Sequence, residues 1–232
     1  MESQDTMESQ DTTESQDTTE SQETDISGKV CNVQTYATKK WIKQIPINKT
    51  IPFETYNRKD YFIPIANIIQ DNETYTTGVK QGKKKRSTVI QFVPTISKEE
   101  FEKKDEWLYV FVINDRIVKI GGTRTGLSGR VSSYLCGHHI QERGKSGDCS
   151  KTNAFIYNTF DFYLQLGCTI TMYGYKLPKT EITITIFDKE TQIIAQTFHA
   201  YESTFLEDYK KNYNTYPLLS DNCDPAYRPI TM

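Results

Sequence analysis

The chain has 232 residues, 25% of them charged, and a formal net charge of −2. That length suits one domain, or two at most. No apolar run reaches the roughly 18 residues of a membrane-crossing helix, and the first 25 residues hold nine acids and no base, unlike a secretory signal. An intracellular, cytoplasmic setting is expected. The five cysteines stand at positions 31, 136, 149, 168 and 223, with no Cys-x-x-Cys pair. An odd, scattered set in a chain without an export signal points to a reducing compartment.

The small net charge hides an asymmetry. Glu2, Asp5, Glu8, Asp11, Glu14, Asp17, Glu20, Glu23 and Asp25 lie in the leader, which leaves 21 acids against 28 bases in the body. A body of charge +7 is compatible with a polyanionic partner without demanding one. The leader repeats MESQDT, MESQDT, TESQDT, TESQET. No repeat has an apolar face to bury, so residues 1–28 are expected to be disordered. The segment is either a repeat expansion without a role or an acidic arm that competes with nucleic acid for the body.

Residues 29–105 read as an N-terminal subdomain, α+β or irregular, punctuated by Pro46, Pro52 and Pro64. Ile63–Ile69 suits a short helix or strand, and Thr88–Val93 a strand stopped by Pro94. Ser97-Lys98-Glu99-Glu100 fits a capping box that opens a helix running to about Lys104. In residues 106–232 the pattern is clearer. Trp107–Ile113 and Ile117–Gly121 flank the turn residues Asn114-Asp115-Arg116 and predict a hairpin. Ser128–Leu135 and Asn153–Leu166 read as helices. Thr169–Tyr175 and Glu181–Phe187 alternate with period two, as strands do, and Phe198–Tyr213 is a helix ending before Pro217. This order predicts an α+β layer with a central antiparallel three-stranded sheet flanked by helices.

A hairpin symmetric about Asn114 would set Tyr109 directly opposite Lys119, with Cβ atoms roughly 5 Å apart. A nearby ammonium favours the phenolate, which would make Tyr109 a general base. Equally, the pair reads as two polar groups on a solvated hairpin face. Gly121-Gly122 either lets a ligand approach the backbone or forms a bulge at a strand end. Arg130 and Tyr134 share a helix face at i and i+4. The guanidinium fork suits a phosphate, or the residues belong to an ordinary amphipathic helix. Glu202 falls inside the stripe of Phe198, Phe205, Leu206 and Tyr209. A carboxylate there needs a partner, either a hard cation or water and a base at the stripe's edge. Cys136, His138, His139 and Cys149 raise a zinc question, but their spacing fits no common zinc pattern. Lys83, Lys84, Lys85 and Arg86 form a basic run, a solvated loop or a set of phosphate contacts.

Tyr109-Val110-Phe111, then Lys119-Ile120-Gly121, then Gly129-Arg130, then Glu202 resembles the signature of the GIY-YIG nucleases. The stretch is most similar to the type II restriction-endonuclease branch, in which lysine replaces the second-motif tyrosine, and the likeness runs over about residues 107–222. The resemblance implies a magnesium-dependent, sequence-specific endonuclease for double-stranded DNA. Tyr109 matches the tyrosine that activates the attacking water, and Lys119 would take or repel its proton. Arg130 matches the arginine that grips the scissile phosphate, Tyr134 an assisting residue, and Glu202 the single carboxylate that binds one Mg2+. The family's asparagine after that glutamate matches Asn222, although Asn212 and Asn214 are nearer. Cutting both strands with one site per chain implies a homodimer. A structure-selective or nicking nuclease, or an inactive nucleic-acid-binding protein of the same fold, are the alternatives.

Overall fold

The computed structural model describes residues 23–24, 30–31, 50–86, 88–137 and 151–223. Two-residue strands β1 (Glu23–Thr24) and β2 (Val30–Cys31) pair with each other. The rest of the leader lies outside the described residues.

The strands of the main sheet are β3 (Ile51–Pro52), β4 (Ile63–Gln70), β5 (Ile90–Pro94), β6 (Trp107–Ile113), β7 (Arg116–Thr123) and β8 (Ile170–Lys176). They lie in the order β3-β7-β6-β8-β4-β5, and every pairing is antiparallel. The fold is α+β, but the sheet has six strands and not the expected three. Strands β7, β6 and β8 are consecutive within it. From the segment read as an N-terminal subdomain, residues 51–94 supply β3, β4 and β5 to this same sheet. These strands were not separable by pattern because β4 carries Pro64 beside its register shift, where proline's missing N–H is tolerated.

Helices cover both faces. On one side α1 (Lys98–Glu102), α2 (Leu127–Leu135) and α3 (Lys151–Gln165) meet Trp107, Tyr109, Phe111 and Ile113. On the other, α4 (Phe198–Tyr213) meets Leu108, Val110, Val112 and Ile120. Alternate residues of β6 thus serve alternate cores, which is why all seven of its residues are buried. Ser97 caps α1 through Glu100 N at 3.2 Å. The reciprocal arm of the expected capping box is not made, because Glu100 instead accepts from Lys176 at 2.5 Å.

Strand β9 (Thr180–Ile186) turns at Phe187-Asp188, both at positive φ, into β10 (Lys189–Ala195). Among the described residues the two pair only with each other, and they form a ribbon of mostly exposed residues, with Phe187 98% exposed at its tip. Among the described residues, no helix is long and apolar enough to cross a membrane.

Candidate active site

Register decides what faces Tyr109. Asn114 and Asp115, at φ 41° and 67°, make a two-residue turn of the kind that matches strand twist. Ile113 pairs with Arg116 and Val112 with Ile117, and then a bulge at Val118 sets Phe111 against Lys119. Tyr109 therefore lies opposite Gly121, not Lys119. The expected Tyr109–Lys119 pair assumed symmetry about Asn114, and the shorter turn and the bulge together displace it by two residues. Lys119 remains on the same face, one diagonal away, where Cβ atoms are about 7–8 Å apart.

Gly121 is what admits the tyrosine. A Cβ there would sit 2.5 Å from the Tyr109 hydroxyl oxygen and 2.6 Å from its ring carbon Cζ. The phenol is fully buried, and its partners come from α2. Arg130 and Tyr134, one helical turn apart, converge on it. Arg130 Nε donates to Tyr109 Oη at 2.7 Å, and Arg130 Nη2 donates to Tyr134 Oη at 2.9 Å. The two hydroxyls are 2.7 Å apart. The guanidinium also lies 4.4 Å from the centre of the Tyr134 ring.

Burial sets the acidity of this cluster. It pushes Tyr109 above the ordinary phenol range, against the opposing pull of Arg130 and of the Tyr134 hydrogen bond. Tyr134 is pushed up further, by burial and then by the charge on Tyr109. Burial alone would lower Arg130, but the two phenols outweigh it and its affinity for protons rises. The cation that favours a Tyr109 phenolate is thus Arg130. For both phenols burial is the largest cause of the rise, and for both Arg130 pulls the other way.

Glu202 reaches the same place from the opposite face. A Cβ on Gly122 would lie 2.9 Å from Phe198 Cδ2 and 3.1 Å from Glu202 Oε2. Its charge is felt at Tyr109, where it opposes ionisation. It is half-buried on α4 beside the buried stripe of Phe198, Phe205, Leu206 and Tyr209. It makes no hydrogen bond or ion pair among the described residues, whereas Asp208 on the same helix pairs with Arg58 at 3.1 Å. No cluster of three or more His, Cys, Asp or Glu that could hold a metal occurs among the described residues. A lone, unpartnered carboxylate suits a magnesium ion that keeps most of its waters and takes substrate oxygens as further ligands.

Lys119 is 5% exposed, and its ammonium donates to the Leu219 carbonyl at 3.1 Å. Ser220 Oγ accepts from Ile120 N at 3.2 Å and donates to Ile120 O at 2.9 Å. The 3-10 segment Leu218–Cys223 therefore runs beside β7 at Ile120, beyond the two residues that β3 pairs, and satisfies the strand's backbone there. Asn222 belongs to that segment. The role of Ser220 was invisible in the sequence, since a serine in a polar tail carries no pattern.

The basic run stands apart. Lys83, Lys84, Lys85 and Arg86 lie in the loop joining β4 to β5, at the far edge of the sheet from β7. Four strand spacings separate β7 from β5, about 19 Å. Lys85 is 3.8 Å from Glu73. Of the four residues that raised the zinc question, only Cys136, a free thiol, is described; His138, His139 and Cys149 lie outside the described residues.

No protein-family model and no curated protein matches the chain. Among the solved structures similar to it are two endonucleases. The restriction endonuclease HPY188I in complex with product DNA shares 26% identity at a TM-score of 0.43, over 76% of this chain and 87% of that one. A mutant of bacteriophage T4 EndoII shares 20% identity at a TM-score of 0.41, over 67% and 91%.

Proposed function

We propose that this protein is a divalent-metal-dependent DNA endonuclease of the GIY-YIG kind, cutting double-stranded DNA at a specific sequence as a type II restriction enzyme does. The observation that carries the reading is one guanidinium donating to two buried phenols at 2.7 and 2.9 Å, beside a carboxylate without a partner among the described residues.

Hydrolysis of a phosphodiester requires a deprotonated nucleophile, relief of charge on the non-bridging oxygens, and stabilisation of the leaving group. Tyr109 takes the proton from the attacking water. As a phenolate it accepts from Arg130 Nε and from the Tyr134 hydroxyl, two donors already at hydrogen-bond distance. Arg130 has five N–H donors, two of them aimed at phenols, which leaves the others for a scissile phosphate. Glu202 would hold Mg2+, which supplies charge relief to the phosphate and the leaving oxygen when bound. Lys119 adds positive charge from the same face and ties the 218–223 segment to β7. Two copies related by a two-fold axis would cut the two strands of a near-palindrome.

The test is incubation of the purified protein with plasmid DNA, with and without magnesium, followed by sequencing of the fragment ends. Discrete fragments with common ends, formed only with magnesium and lost in Tyr109→Phe, support the reading. Nicked circles alone would replace it with a nicking nuclease, and intact plasmid under all conditions would refute it.

A further inference from the structure

A groove of about 280 Å3 lies between the ends of β6, β7 and β8 and the foot of the β9–β10 ribbon. Its charged lining is Lys104, Asp105, Glu106, Arg124, Lys176 and Lys179. Both acids have partners, although Glu106 Oε1 is buried without a hydrogen bond among the described residues. Asp105 is buried and pairs with Lys176 at 2.8 Å and Lys103 at 3.7 Å. The Lys176 hydrogen bond, ahead of other charges, holds its carboxyl below the ordinary range. Glu106 Oε2 accepts from Thr197 N at 2.9 Å and Thr197 Oγ1 at 3.0 Å, at the start of α4.

The remaining cations are not committed. Lys104, Arg124 and Lys179 are exposed and make no ion pair among the described residues. Arg124 donates to Gln196 Oε1 at 3.3 Å, which ties it to the ribbon's foot and leaves its charge unneutralised. Position matters as much as charge. Arg124 follows Gly122, the residue against which Glu202 packs, by two residues. That is about 7 Å along an extended chain, or about two base-pair rises of the duplex. Gly126, just before α2, packs on the Lys103 carbonyl and the Lys104 Cα, so the groove adjoins the helix that carries Arg130.

We propose that this groove holds the phosphodiester backbone of DNA to one side of the scissile phosphate, with Arg124, Lys104 and Lys179 neutralising neighbouring phosphates. This rests on the nuclease reading and extends its substrate contacts to a surface that the site motifs do not include. The contacts are to backbone, so they add affinity without reading sequence.

The experiment measures affinity for a short random-sequence duplex by fluorescence anisotropy, without divalent cation, from about 50 to about 200 mM salt. Each neutralised phosphate contributes about 0.9 to the slope of log K against log salt. The double variant Arg124→Gln/Lys179→Gln should flatten the wild-type slope by about 1.8, and Lys104→Gln by about 0.9. Lys59→Gln/Lys211→Gln, which removes equal charge elsewhere, should leave it unchanged. Equal slopes for wild type and the Arg124/Lys179 variant, in a protein whose wild type cuts plasmid, would overturn the groove assignment alone. A wild type that neither binds the duplex nor cuts plasmid with magnesium would overturn the nuclease reading and the groove with it.

Discussion

Replacing Tyr134 with Phe removes one oxygen and keeps the ring, which packs edge-on against Phe111 and Tyr109 at centroid distances of 5.5 and 6.3 Å. Two contacts vanish: the 2.7 Å bond to Tyr109 and the 2.9 Å bond from Arg130. In the resting protein a neutral hydrogen bond contributes about 1 kcal/mol net and one to a charged group about 1.5–3. The fold should therefore lose a few kcal/mol at most. In catalysis the loss falls on the Tyr109 phenolate, which keeps Arg130 and loses its second donor. A charge-assisted bond of about 1.5–3 kcal/mol corresponds to roughly 10- to 150-fold in rate. Burial holds Tyr109 above the ordinary phenol range, so its basic form is scarce at neutral pH and the cleavage rate should rise about tenfold per pH unit. Single-turnover plasmid cleavage from neutral to mildly alkaline pH checks both. Tyr134→Phe should run below wild type and keep the rise, whereas Tyr109→Phe should lose the rise altogether. A Tyr134→Phe protein that is destabilised yet cuts at the wild-type rate would show that the hydroxyl braces the fold and does not serve the phenolate.

Three further outcomes are expected. Glu202→Gln should cut cleavage in magnesium by at least about 100-fold, because several kcal/mol of charge stabilisation depend on the metal it holds, while the melting temperature stays within error; wild-type cutting would remove Glu202 from the metal site. Gly122→Ala should destabilise by about 1–3 kcal/mol in urea titration through overpacking, since its Cβ would fall 2.9 Å from Phe198 and 3.1 Å from Glu202, and it should slow cleavage as well; an unperturbed variant would mean that α4 yields freely. Stability should fall as pH rises from 10 towards 12. Burial pushes Tyr157 from 10.0 up to about 12, and Tyr56, Tyr109, Tyr134 and Tyr209 also lie above their ordinary value. Above pH 10 the native state keeps protons that the unfolded chain releases, so the sign is destabilising with rising pH, and denaturant midpoints that do not move over that window would contradict it.

What was legible in the sequence is what local periodicity encodes. Helix α4 was readable to its bounds because Phe198, Phe205, Leu206 and Tyr209 repeat at helical spacing and are all buried. The joint use of Arg130 and Tyr134 followed from their i, i+4 separation. Register was not legible. Ile117 and Val118 are both β-branched and buried, and nothing in their identity says that one of them bulges. The breadth of the sheet was hidden because β4 pairs with β8 across about a hundred residues of chain, and no local pattern reports such a partner. Strand β10 was missed for a different reason. Its ribbon packs on no core, so Lys189–Ala195 shows no apolar alternation, and the turn at Phe187-Asp188 uses positive φ without glycine.

Gly121 and Gly122 join these levels. Successive residues of a strand point to opposite faces, so the two glycines remove a side chain from each face of β7 at one point. On one face the gap is filled by the Tyr109 ring and on the other by Phe198 and Glu202. Any side chain at the first position would displace the phenol from Arg130, and any at the second would lift α4. The sheet is thinned to bare backbone at the point where the proposed reading needs groups from its two faces, a phenol and a carboxylate, to act on one substrate. Neither helix layer alone could supply both, because α2 brings the guanidinium to one face while α4 brings the carboxylate to the other. A strand end flanked by small residues on both faces is the point at which a two-sided site of this kind closes, and the glycine pair is a structural requirement for it as much as a bulge signal.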